Sequence, residues 1–598
     1  MSRWFYLLNL TVICGFFCNI GTGCRSIESN SDNALRESIG GIETQSFNSD
    51  YIKDPFAQKI SSRDLLSAEQ ARVKALTSYS RGISLELQGE SKASLNEFLK
   101  SANADPANEK LVLSLVQELI NVGRTNDAAL LMKRSCSRKE VNANLLAWWA
   151  LAETANGNYS EGIKIAEKSI KQDKKTVLAY KVLLGIYLGE DQSEKSLEVL
   201  KNAEIAVEDS IPGLLEVTGF YLGYSRMIST LGIDPKEEAN RLLNRVEILI
   251  KEDENARPEW YEIMANLLVG LEQYSEALPI YDQLLEKYPG HIGLREKRVN
   301  TLMRMGEDAA AELELRGLLR ANPSNFNYAL LLGDLCQKTG RYREAGDFYY
   351  YANSVKKDPR LYFMVAQMRF ADKQPQKALD MLELTRIGGL NNPELTYLES
   401  LCYVEMARFD EALQIALRVK EEVLKNQEYS DLLNEAFYLS LASIYESLGR
   451  ADEAIALMEE ELEKNPKSAM ALNALGYTYA DHGINLEKAY EMITEALRMA
   501  PEEPAIIDSF SWVLYKMGNS EAALPLILKA IENEKSADST YYDHLGDIYL
   551  SLGREIEAVE AWKNALKQNV IVSLYRKVGN RTVKEIIQEK IDRHNRTN

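Results

Sequence analysis

The chain has 598 residues, 45% of them hydrophobic and 27% charged, which is enough apolar material for several ordinary domains or one long array. A formal net charge of −19 excludes nucleic acid as the main partner, since phosphate binding needs a basic face, and argues against broad adhesion to anionic lipid. Only 15 prolines and an abundance of Ala, Leu, Glu and Lys favour helix.

The first 24 residues differ from the rest. Arg3 is the only charge before an apolar run from Trp4 to Ile20, and Gly21-Thr22-Gly23-Cys24 follows. A short basic start, an apolar stretch and small residues before a cut describe a targeting segment that stays outside the fold. The run also suits an uncleaved anchor, being close to the minimum spanning length. Residues 25–62 open with Ser26, Ser29, Asn30, Ser31, Asp32 and Asn33 and lack apolar periodicity, so they are expected to form a disordered tether.

From Leu65 a helical period begins and hardly stops. Residues 63–204 hold N-terminal repeats marked by Gly82, Gly89 and Pro106, then Leu115, Gly123 and Ala128, then Trp149, Gly157 and Gly162, then Leu184, Gly185 and Leu197. Residues 205–256 are an irregular helical insert, in which Gly213, Gly219, Gly223 and Gly232-Ile233-Asp234-Pro235 interrupt the pattern and two longer helices are expected. The period resumes over 257–568, giving about fourteen helix pairs in all. Residues 569–598 form a tail. Within it Val583, Ile586, Ile587 and Ile591 share one helix face that suits a cap on the last repeat.

The period is clearest at the end. Leu475, Phe510 and Leu545 are 35 residues apart, and Leu441 lies 34 before Leu475. The first three are followed by small residues at offsets that agree to within one residue: Gly476, Ala489 and Ala496; Gly518, Ala523 and Ala530; Gly546, Gly553, Ala558 and Ala565. Large residues fill the gap between paired helices, and small ones sit where two helices touch. A period of 34–35 with two amphipathic helices marks an all-α solenoid. This pattern of a large residue, Gly, Tyr, then Ala and Ala resembles the tetratricopeptide repeat, which implies an α-α superhelical solenoid of helix pairs whose role is to bind proteins or peptides. The N-terminus resembles a bacterial lipoprotein signal, which implies a lipid on Cys24. Arg25 after it resembles an outer-membrane sorting signal.

The resemblance also implies that the first helix of each pair lines a concave groove. Its inward positions in the last three repeats include Asn473 and Tyr477, Asp508, Trp512 and Tyr515, and Asp543 and Asp547. Aromatic rings beside acids suit a peptide carrying a basic or amide group. The family's chaperone-binding members use Lys, Asn and Arg there to hold a terminal carboxylate, and that carry-over fails because acids stand in those places.

Nothing in the chain has the spacing of catalysis or of metal binding. The six cysteines and four histidines form no ligand set, and there is no phosphate loop, nucleophile elbow or His-Glu-x-x-His helix. No enzyme, cofactor, metal or small-molecule substrate is therefore expected. The expected role is a non-catalytic scaffold, lipid-anchored in the bacterial envelope and facing the periplasm, similar to outer-membrane tetratricopeptide lipoproteins that serve a protease, secretion or export. The alternative is a structural envelope protein that self-associates through its solenoid ends.

Overall fold

The computed structural model describes residues 62–138, 140–533, 539–568 and 571–595. Cys24, the targeting segment and residues 25–61 lie outside them. The described residues are helical apart from loops and one hairpin of two two-residue strands, and twenty-eight of their helices follow one another as fourteen successive pairs. The chain divides into two compact units at Glu314 and Leu315.

The first unit opens with α1 (Ser62–Leu87) and α2 (Ser91–Ala104). α1 turns Ala75, Ser78 and Gly82 inward, and the Ser101 hydroxyl of α2 donates to the Ala75 carbonyl at 2.8 Å. Its other face carries Val73, Leu76, Tyr79, Ile83 and Leu87, all exposed. The core of this unit runs through Leu184, Ile186, Val217 and Val246, each fully buried.

Across 205–256 the chain forms α3 (Ile211–Gly223), a one-turn α4 (Ser225–Ser229) and the 18-residue α5 (Pro235–Glu252), with α3 packed on α5. Gly213 and Gly219 lie inside α3 rather than breaking it. The Ser210 side chain accepts from the Gly213 N–H and starts this helix, and Asp234 does the same for Lys236 and Glu237 at the start of α5. The segment is therefore a helix pair with one extra turn between its members.

In the second unit, Phe437, Ile493, Ala489, Ala496 and Val513 are fully buried and Leu475 nearly so. The small residue after each large one has a steric reason. A Cβ on Gly476 would stand 2.6 Å from Ile493 Cγ1 and 3.2 Å from the Ala489 carbonyl. In neighbouring repeats a serine takes that place and uses the closeness: Ser400 donates to the Ala412 carbonyl and Ser511 to the Ala523 carbonyl, both at 2.9 Å.

The helices that carry the site are α6 (Glu435–Ser447), α7 (Ala469–His482), α8 (Pro504–Lys516) and α9 (Ser539–Ser551), the first members of successive pairs. α10 (Glu555–Lys567) completes the last pair. Beyond it come a single turn α11 (Ile571–Tyr575), a hairpin of β1 (Lys577–Val578) and β2 (Arg581–Thr582), and α12 (Val583–Asn595). Val583, Ile587 and Ile591 of α12 cover Ala558, Trp562 and Ala565 of α10, closing the end of the core.

Candidate functional site

α6 to α9 present one inner face, and the segment from α11 to α12 lies against it. Between them is a cavity of about 380 Å³ lined by Glu446, Asp481, Trp512, Asp543, His544 and Asp547 on the helix side and by Arg576 and Lys590 on the other.

At the centre of the face, the His544 imidazole stacks on Trp512 with ring centroids 3.8 Å apart, and Trp512 stacks on Tyr515 at 4.9 Å. Asp508 Oδ1 lies 2.8 Å from His544 Nδ1, and both residues are 97% buried. Burial disfavours the imidazolium, but the Asp508 carboxylate, with Asp543 and Asp481 behind it, overrides this and raises the pKa above the usual histidine value. The Trp512 indole N–H donates to Asp481 at 3.2 Å, which fixes the ring in the stack. Tyr477 closes the cluster with its ring 6.0 Å from His544, and burial, then the charge of Asp481, raises its phenol.

Two pairs of carboxylates flank this centre, and each pair holds a cation from the C-terminal segment. Arg576 donates to Asp481 at 2.9 Å and stands 3.8 Å from Glu446. Lys590 donates to Asp543 at 2.8 Å and to both oxygens of Asp547 at 2.6 and 2.8 Å. Burial works against the Lys590 ammonium, yet the two carboxylates raise its pKa and keep it charged. Asp547 also accepts from the Trp562 indole at 3.1 Å.

Of the residues expected to line a groove, Tyr477, Asp508, Trp512, Tyr515, Asp543 and Asp547 meet in one connected cluster. Of these, Trp512, Asp543 and Asp547 line the cavity, and Tyr477, Asp508 and Tyr515 stand behind it; Asn473 does not line it and is buried, with its side-chain oxygen lacking a hydrogen-bond partner. Trp512 is buried against His544 rather than open. The sequence pattern missed Glu446 because only the last three repeats were read for inward positions, and missed Asp481 and His544 because each stands one residue beside such a position. It missed Arg576 and Lys590 because they lie where the period ends. Away from the site, burial pushes the thiols of Cys136 and Cys402 up to about 12, which leaves them inert at neutral pH.

The site is thus a face on paired-helix repeats, and the chain belongs to the class of α-α solenoids. Models of the tetratricopeptide repeat match residues 268–335, 397–469 and 439–504. These stretches of the chain are therefore tetratricopeptide repeats. It is similar to the TPR repeat-containing protein PA4667 of Pseudomonas aeruginosa, 31% identical over 151 residues, 23% of this chain and 25% of that one. It is also similar to the anaphase-promoting complex subunit 7 of Arabidopsis thaliana, 22% identical over 312 residues, 51% of this chain and 53% of that one. The chain therefore spans about a quarter and about half of these relatives' lengths. Among solved structures, the APC/C hetero-tetramer Cut9-Hcn1 aligns over 82% of this chain and 99% of that one at 12% identity, with a TM-score of 0.34.

Proposed function

We propose that this chain is a non-catalytic scaffold that holds a partner protein or peptide on the inner face of α6 to α9, tethered by lipid on Cys24 to the outer membrane of a bacterial envelope and serving a periplasmic protease, secretion or export. The repeats support the general role of protein interaction. The observation that carries the choice of face is the aromatic stack of Trp512, Tyr515 and His544 set between carboxylates and opening on a cavity of about 380 Å³. Rigid aromatic surface beside buried charge is how protein interfaces concentrate affinity. The lipid tether is supported by the order of residues before Cys24, and among the described residues no helix is long and apolar enough to cross a membrane.

Affinity capture from an envelope extract tests the face. The intact chain is compared with a Tyr515→Ala/Asp543→Asn variant, both at half-buried positions. A partner held by the first and lost by the second supports the proposal, and one held equally by both moves the interface elsewhere. Cys24→Ala tests the tether: the chain is expected to leave the membrane fraction, and unchanged partitioning would leave only an uncleaved anchor.

One observation favours a second reading, self-association. Val73, Leu76, Tyr79, Ile83 and Leu87 form an exposed apolar stripe on the first described helix, whereas the other end of the array is covered by α12. An antiparallel pairing of α1 with a second copy, centred near Ser80, would bring Lys74 opposite Glu86 twice. Sedimentation of Leu76→Glu/Ile83→Glu against the parent chain separates monomer from dimer.

A further inference from the structure

We infer that residues 571–595 are a tethered occupant of the inner face, and that the partner which replaces them is a peptide segment presenting two cationic side chains. The inference rests on the scaffold reading above and names the chemistry of its partner.

A cap on the last repeat needs only the apolar contacts of Val583, Ile587 and Ile591. Arg576 and Lys590 reach further, into the cavity, and end on carboxylates of the inner face: Arg576 on α7, two pairs before the last, and Lys590 on α9 of the last pair. Arg576 reaches a residue 95 positions upstream, and Lys590 reaches residues 43 and 47 upstream. Without them the face would hold Glu446, Asp481, Asp508, Asp543 and Asp547 against Lys516 and two histidines. One buried and four half-buried carboxylates that close to one another require cations. The tail supplies two, at two separate places, and so displays what the face accepts.

The fit of the tail is also incomplete. A cavity of about 380 Å³ remains between the two ion pairs. Both Glu446 carboxylate oxygens are shielded from solvent without a hydrogen bond, with His482 and Arg576 standing off at 3.5 and 3.8 Å. A carboxylate in that state is stabilised by any ligand that brings a donor closer. The elements bringing Arg576 in are minimal, one helical turn and two strands of two residues each. Such pieces have little stability of their own. Exchanging one cation for another on the same carboxylates leaves no charge uncompensated, whereas simple removal of the tail would. The tail therefore competes with a partner instead of sealing the face. Being covalently attached, it competes at an effective concentration of the order of millimolar.

The probe is a synthetic peptide of residues 571–595 carrying a fluorophore, offered in trans to the intact chain. Arg576→Met/Lys590→Met in the chain removes the two cations and keeps the apolar cover. This variant is expected to bind the peptide at least about tenfold more tightly than the parent chain, and to ignore a peptide with the same two substitutions. Equal affinity of parent and variant, with both melting alike, overturns the inference. If the variant fails to fold, a protease site placed at 569–570 of the parent chain gives a second measurement. After cutting, excess labelled peptide is expected to replace the native fragment, and a fragment that never exchanges overturns the inference. Spermidine displacing the fragment as well as the peptide does would overturn the peptide class. Loss of peptide exchange with envelope-partner capture intact refutes this inference alone; the reverse result refutes the scaffold reading of the face alone.

Discussion

Gly476 and Gly219 sit in helix interiors, and the same substitution should act oppositely on them. Alanine is favoured over glycine in a helix by about 1 kcal/mol. At Gly219 no neighbouring atom lies within 4 Å of a new Cβ, so Gly219→Ala is expected to stabilise the chain by about that amount. At Gly476 the new methyl meets Ile493 and the Ala489 carbonyl, and overpacking of this kind costs about 1 to 3 kcal/mol. The clash outweighs the propensity, and Gly476→Ala should lower the urea midpoint. His544 offers a prediction of pH dependence. Its pKa is raised in the folded chain, so the stabilisation is complete below its ordinary value of 6.5 and is lost as pH rises through the folded-state value. Melting temperatures from pH 5.5 to 8.5 should fall more steeply for the parent than for His544→Asn. A parallel pair of curves would show that the Asp508 contact carries no charge. His482, raised by its contact with Glu446, remains in both proteins and cancels from the difference.

At the scale of the helix pair, the turn between partners needs a residue with positive φ. Glycine supplies it at Gly449, Gly518 and Gly553, but Glu272, Lys373 and Ala407 adopt φ of +65°, +57° and +55°. A side chain in that region is strained by about 1 kcal/mol or more. Ala407→Gly and Lys373→Gly should each stabilise the chain by about 0.5 to 1 kcal/mol, read as a higher denaturant midpoint. These positions also show why some repeats were plain in the sequence and others faint. Large, small and turn residues recur at fixed spacing wherever packing alone sets them, which made the last repeats legible. Where Ser400 replaces the small glycine by donating to the opposite helix, or a charged residue takes the turn, the letters change while the geometry stays. The site was half legible for a related reason. Asp508, Trp512 and Asp543 follow from their place on the repeat. Arg576 and Lys590 meet them through contacts spanning 43 to 95 residues, after the period has ended, and no spacing rule reaches that far.

For the molecule as a whole, an array of helix pairs distributes stability differently from a globular domain, because each repeat is held chiefly by its neighbours. Trp562 is fully buried in α10, its ring packed among Ala558, Ala565 and the residues of α12 and its indole bound to Asp547. Trp562→Ala removes all of these, a loss of about 3 to 5 kcal/mol. In a single cooperative core that loss would lower protection everywhere. In a chain of nearest-neighbour contacts it should fall on the last pair and the tail that covers it, while Leu184, Val217 and Val246 in the first unit keep their surroundings. Hydrogen exchange read segment by segment decides between the two. Amides of α9, α10 and α12 should exchange faster by two or more orders of magnitude, about the factor that 3 kcal/mol implies, with α3 and α5 unchanged. Uniform acceleration would mean that the array unfolds as one block.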